Sequence, residues 1–265
     1  MKNFILATAL LLLCAFGVWV VYETLVIPES ARLVAEARQN GSAAPQVFIV
    51  IIKDWEQQIC ITLALWCLLL LGAKYWEIFS DNHFYGIDFL GTMIEAGDGE
   101  DEKQTLRKTM KEIDALPEKI TSTPVIQTLL ASIRRYLMTE DVHSTSEAIS
   151  LSVDALALRQ DAGSTMIRYV IWAIPSFGFI GTVRGIGAAL TQADEALQGN
   201  ITLMTDSLGV AFNSTLVALC LSIPLMLLLH GLQRFQDGQL IKTQEYCEKF
   251  LLNRVSKYVH PAQTS

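Results

Sequence analysis

Residues 169–193, YVIWAIPSFGFIGTVRGIGAALTQA, constrain this chain more than any other stretch. The run is long and apolar enough to cross a bilayer, which takes about 20 residues at about 1.5 Å each. Its small residues are not scattered. At about 100° per residue, Pro175, Gly178, Gly181, Thr182, Gly185 and Ala189 fall on one helix face. Gly181 and Gly185 form a small-xxx-small pair, which lets another backbone come close. Thr182 adds a hydroxyl to that face. Pro175 removes a backbone donor, which leaves a carbonyl one turn earlier for a cavity or a water. The plain reading is a tight packing seam with an incidental threonine, and the rest of the chain has to decide.

Composition sets the class. The chain has 265 residues, of which 51% are hydrophobic and only 18% charged. Its mean hydropathy is +0.36. Soluble domains carry more charge and fewer long apolar runs, so the chain reads as an integral membrane protein. A net charge of −7 argues against nucleic-acid binding, which needs a basic face. Cys14, Cys60, Cys67 and Cys220 lie in apolar runs and Cys247 in a polar helix, and none has metal-ligand spacing. No metal and no cofactor is expected.

Three further apolar runs accompany the first. Residues 4–26 begin after Lys2, as a secretory signal would, but the run is too long and no small-x-small site closes it. It is read as an uncleaved span. Residues 27–56 form a mixed-charge connector, with one or two helical turns in IPESARLVAEARQ, a turn at NGSAAP, and VFIVII at 47–52 lying in the interface or opening the next helix. Residues 59–73 are the second run. It is short, so it either recruits Gln57, Gln58 and Lys74-Tyr75-Trp76 to cross or re-enters. A large polar region follows, with an acidic loop at 97–102, a break bracketed by Pro117 and Pro124, and Ser122-Thr123 as a helix cap. From about Val142 a helix runs straight into the opening stretch. The fourth run spans 207–229, and a polar helix from about Gln233 to Tyr258 follows it.

The expected architecture is all-α. It is a four-span helical membrane protein with a helical cytoplasmic region between spans two and three and a C-terminal cytoplasmic helix. The expected segments are 1–76 (two membrane helices and a short external loop), 77–167 (cytoplasmic helices), 168–230 (spans three and four) and 231–265 (C-terminal helix and tail). Lysine and arginine fix the orientation: nine lie in 74–167, five follow the fourth run, and 194–206 has none. By the positive-inside rule the large region and both termini are cytoplasmic, and the loop between spans three and four is outside.

The fourth run, SLGVAFNSTLVALCLSIPLMLLL, places Ala211, Thr215, Ala218 and Ser222 on one face. Two consecutive spans thus carry small-residue stripes with a threonine near mid-membrane, and neither stripe contains a carboxylate. An ion crossing here would need an acid from elsewhere. At this point the sequence resembles the ExbB/TolQ/MotA proton-channel family. Residues 178–186, GFIGTVRGI, look like the family's GLxGTVxGI signature with Phe179 in place of leucine. Ala211 to Thr215, continuing to Ser222-Ile223-Pro224, is similar to the family's last helix, and Pro175 fits the proline that begins the third span of flagellar members. The specific resemblance covers residues 169–229. Four spans fit the flagellar members, while the signature fits ExbB and TolQ, which have three.

The resemblance implies a homopentamer around two copies of a single-span ExbD/TolR/MotB-like partner that carries a membrane aspartate. It implies a bacterial inner-membrane location among lipid, and ion flow, H+ or Na+, past that aspartate. It also implies that Thr182 and Thr215 line the ion path. The stripe Pro175, Gly178, Gly181, Gly185, Ala189, Ala211, Ala218 and Ser222 would face the partner helices. Arg184 departs from the pattern, since many ExbB and TolQ members have tryptophan there. It is costly in a span, and it points away from the Thr182 stripe. It is read either as snorkelling to the outer surface or as an external ion pair with Asp194 or Glu195 of the same or a neighbouring subunit.

The leading expectation is therefore the ring subunit of an ion-driven motor. A non-conducting scaffold around a single-span partner is the alternative. An enzyme is not expected: His83, His143, His230 and His260 are dispersed, and Gly185-x-Gly187 follows no strand. Members of the family drive outer-membrane uptake, envelope constriction, motility, gliding and phage defence. Defence-type motors are expected to carry a long cytoplasmic tail, and the segment after the last span is short for one.

Overall fold

The computed structural model describes residues 2–39, 42, 44–81, 85 and 102–252. Every regular element among these residues is helical, and four helices are long and apolar enough to cross a membrane. The all-α, four-span expectation is borne out. Helix α1 (Lys2–Val21) continues through a π-helical turn (Tyr22–Val26) into α2 (Ile27–Gln39). The connector's expected one or two turns are thus thirteen residues that prolong the first span. The wide turn lies directly before Pro28, which has no N–H to give, and the Ile27 N–H reaches back to the Tyr22 carbonyl.

After α3 (Phe48–Ile51), the chain breaks briefly and enters α4 (Trp55–Asp81). The second span is thus 27 residues long. Nothing in its polar flanks, WEQQ before and KYWEIFSD after, stops a helix. Helices α5 (Glu102–Asp114), α6 (Glu118–Thr121) and α7 (Pro124–Thr139) follow. The acidic loop at 97–102 lies outside the described residues except for its last. The expected cap at Ser122-Thr123 does not form through Thr123, whose hydroxyl turns back to the Ile120 carbonyl (2.7 Å). Pro124 opens α7 instead, because a proline at the first position leaves no N–H to satisfy there. Glu140 ends α7 in the left-handed region (φ 55°).

Helix α8 (Val142–Thr191) is one uninterrupted element of 50 residues. Asp141 caps it, accepting from the Ser144 N–H (2.8 Å) and the His143 N–H (3.3 Å). Short α9 (Ala193–Leu197) and Gly199, at φ 99°, turn the chain back. Helix α10 (Thr202–Cys247) joins the fourth run and the polar helix in one element, followed by a π-helical turn at Glu248–Leu252.

The chain divides into two compact units, Met1–Ala73 with Thr165–Gly231, and Lys74–Ser164 with Leu232–Ser265. In the first, Val18, Tyr22, Val26 and Ile52 cluster, the Tyr22 hydroxyl donates to the Ile52 carbonyl (2.7 Å), and the Trp66 indole donates to the Ala7 carbonyl (2.9 Å). Leu12, Phe16, Phe179, Phe212, Ile223 and Leu227 point outward. That much exposed apolar surface suits lipid or a partner rather than water. In the second unit the core is Leu106, Ile113, Val125, Ile126, Leu129, Ile133, Tyr136, Ile149, Tyr246 and Leu251.

Candidate functional site

The site begins with a helix crossing that only glycine permits. A methyl built on Gly185 would lie 2.6 Å from the Ala211 backbone nitrogen and 2.8 Å from its Cα. One built on Gly178 would lie 2.5 Å from the Ala218 Cβ and 3.1 Å from the Ser214 carbonyl oxygen. Gly181 faces the Ser214 side chain in the same way. Side chains there would force the backbones apart. Ala189, Ala211, Ala218 and Ser222 are buried, while Pro175 is half-buried within α8.

This corrects one expectation. Gly178, Gly181 and Gly185 meet Ala218, Ser214 and Ala211 of the chain's own fourth span rather than a partner's helix. Two consecutive spans with the same small-residue period are complementary to each other, so each supplies the surface the other needs.

The crossing brings the two threonines together. The Thr182 and Thr215 hydroxyls are hydrogen-bonded to each other. Thr182 also donates toward the Gly178 and Ala211 carbonyls, each at 3.2 Å. Thirty-three residues apart in sequence, they form one polar point in an apolar seam. Both are only partly buried, so this point is open on one side.

A second polar group lies on the side of the seam where Gly181 and Ser214 face α4. Glu56 is fully buried, and its Cγ would be 3.3 Å from a methyl on Gly181. Arg184 grips it with two bonds, Nε to Oε1 and Nη2 to Oε2, the latter 2.9 Å. Paired bonds of this kind are the strongest geometry for these two groups. The same Nη2 lies 3.4 Å from Asp54 Oδ1, and Lys53 Nζ lies 3.4 Å from that oxygen as well. Next to Glu56, the Gln57 amide donates to Ser214 Oγ (3.2 Å), while its carbonyl oxygen, also buried, accepts no hydrogen bond.

Arg184 therefore does not form the expected pair with Asp194 or Glu195 within the chain. Helical side chains lean toward the helix N-terminus, and α9 lies beyond the other end of α8. Asp194 and Glu195 are not drawn into the seam, and Glu195 is exposed. A polar cavity of about 310 Å³ opens beside Arg184, with Arg38, Lys53, Asp54, Asp206 and Asn213 in its wall. Asp206 closes one side by accepting from Arg38 (3.3 Å) and from the Ala44 N–H (3.0 Å). Among the described residues, no group of His, Cys, Asp or Glu could hold a metal ion.

Sequence reasoning missed Glu56 because it closes a mixed-charge connector, three residues ahead of the apolar run. The signal that could have found it is Arg184: a cation in a span needs a counter-charge, and the start of the second span offers two acids.

Structurally, then, this is a helical membrane protein whose last two membrane-length helices cross on glycine and share a pair of hydroxyls. Residues 117–245, which include both helices' crossing, match the model of the MotA/TolQ/ExbB proton channel family. Over that stretch the chain is similar to this family, as the glycine signature indicated. No curated protein and no solved structure matches the chain.

Proposed function

We propose that the chain is the ring-forming subunit of an ion-driven motor, five copies enclosing two copies of a single-span partner with a membrane aspartate. Ion flow, of protons or of sodium ions, passes that aspartate and is coupled to rotation or force across the cell envelope. Thr182 and Thr215 line the path. The ring sits in the bacterial inner membrane with both termini in the cytoplasm. The hydroxyl pair carries this reading. It lies within the matched region, at the glycine crossing of the two membrane-length helices, and both hydroxyls are only partly buried.

The test is Thr182→Val with Thr215→Val, which keeps volume and branching and removes both hydroxyls. Interhelical hydrogen bonds in lipid average about 0.6 kcal/mol, so assembly should survive. A desolvated ion that loses a polar ligand faces a cost of about 1–3 kcal/mol, so flux should fail. Full flux in the double variant would sink the assignment and put the scaffold reading ahead. That alternative is favoured by the glycine crossing, which packs helices whether or not anything is conducted.

A further inference from the structure

We propose that Glu56 is a proton-binding site on the ion path, contributed by this chain itself and reached from the polar cavity beside Arg184. The inference deepens the motor reading above and rests on it. Four charged groups stand in a row of alternating sign. Lys53 meets Asp54, Asp54 meets Arg184, and Arg184 meets Glu56. The first three line the cavity, while Glu56 at the inner end is fully buried. Ionisable groups within membrane segments are costly and mark ion pathways or proton relays. Arg184 alone could have reached the cavity water and left the span without a carboxylate. Instead its side chain bridges the two environments, with one part in the cavity wall and the other on Glu56.

Two neighbours of Glu56 point to a ligand. The Gln57 carbonyl oxygen is buried without a donor, and such groups are ordinarily met by a water or an ion. Gly181 brings the Glu56 side chain up to the α8–α10 crossing, one residue away from Thr182 on one helix and beside Ser214-Thr215 on the other. Only a glycine separates the carboxylate from the seam that carries the hydroxyl pair.

The step balances simply. When Arg184 turns aside from Glu56, a hydronium ion from the cavity gives its proton to a Glu56 oxygen, forming one O–H bond and leaving water. Arg184 keeps its charge, loses its attraction to the neutral carboxyl, and shifts onto Asp54, which already lies 3.4 Å away. Asp54 in turn loosens Lys53. Return of the proton reverses each shift. The titratable and charged groups that bear on Glu56 are Arg184 from α8 and Cys60 from its own helix, with Asp54 and Lys53 of the connector acting through Arg184 and Tyr22 of the first span through Asp54 and Cys60. From α10 it meets only the neutral Ser214 side.

The experiment uses the full chain assembled with its partner in proteoliposomes and reads proton flux, together with the infrared band of a protonated carboxyl on acidification. Glu56→Gln should leave assembly intact, lower flux about tenfold or more, and remove the band, whereas Glu56→Asp should restore part of both. If Glu56→Gln does not assemble, Glu56→Gln with Arg184→Gln removes both charges and leaves Asp54 to Lys53. An assembled double variant without flux supports the proposal. Wild-type flux in either assembled variant overturns it while leaving the threonine path standing. A wild-type carboxyl band that persists in Glu56→Gln overturns it too. No flux in the wild-type complex brings down this inference and the motor reading together.

Discussion

Where α8 crosses α10 between Gly178 and Gly185, the buried contacts are glycine, alanine and serine. Where α7 packs in the other unit, they are Val125, Ile126, Leu129, Ile133 and Tyr136, all but the tyrosine fully buried. The contrast follows from the solvent. In water, each large aliphatic side chain removed from solvent contributes about 1.5–3 kcal/mol, so a core collects bulk. Lipid tails are as apolar as leucine, so bulk gains nothing there, and helices associate through close backbone contact and polar pairs. One chain uses both rules, the small-residue one at this crossing.

The ion pair is the sharpest departure from the small-residue rule, and it carries the largest expected effect. Arg184→Met removes the guanidinium and leaves the fully buried Glu56 carboxylate without its counter-charge. Breaking a buried pair from one side costs about 3–5 kcal/mol. The thermal midpoint of the full chain in detergent should fall by far more than in Arg184→Met with Glu56→Leu, which removes both charges. Equal midpoints for the two would show that the pair is not structurally coupled.

Next come two substitutions of opposite sense. Leu129→Ala in the water-type core deletes bulk and leaves a cavity, at about 2–5 kcal/mol. Gly185→Ala in the seam adds a single methyl, which meets the Ala211 backbone rather than a side chain that can rotate away. Overpacking of that kind costs about 1–3 kcal/mol, and the helices must also separate. Flux should therefore drop even if folding survives. If Gly185→Ala is neutral in both thermal midpoint and flux, the crossing is not as tight as the geometry states, and the contrast between the units weakens.

Much of this architecture is legible in the sequence. Helical spacing of Gly178, Gly181 and Gly185, and the matching stripe on the next span, specify a close crossing. The helical pattern that runs from about Val142 straight into the opening stretch already implies the long helix that ends at Thr191. What stays hidden depends on contacts distant in sequence. Glu56 and Arg184 lie 128 positions apart, and no periodicity links them. The occupant of the glycine face is hidden as well, because a small-residue stripe says that something packs closely but not which helix does. The length of the second span escapes for a different reason. Hydropathy marks where lipid is tolerated, whereas the helix continues through any polar flank that lacks a breaker.

The smallest effect concerns a carboxylate in the opposite setting from Glu56. Asp141 is fully exposed and caps α8, and bonds from the Ser144 hydroxyl and N–H hold its carboxyl below the ordinary value of 3.8, with His143 adding to the shift. Because the folded pKa is depressed, its contribution to stability is fully present above the unfolded value. It is lost as pH falls through the lower, folded one. Asp141→Asn keeps a capping oxygen and removes the charge, so the variant isolates the titration from the cap. The difference in thermal midpoint between wild type and variant should be constant near neutral pH and should shrink only below about pH 4. Added salt should shrink it as well, since an exposed charge at a helix N-terminus is screened. The Glu56–Arg184 pair, closed off from solvent on the carboxylate side, should hold its effect across the same salt series. A salt response as large at Glu56 as at Asp141 would mean that water reaches the buried carboxylate, and the difference between the two units would not extend to their charges.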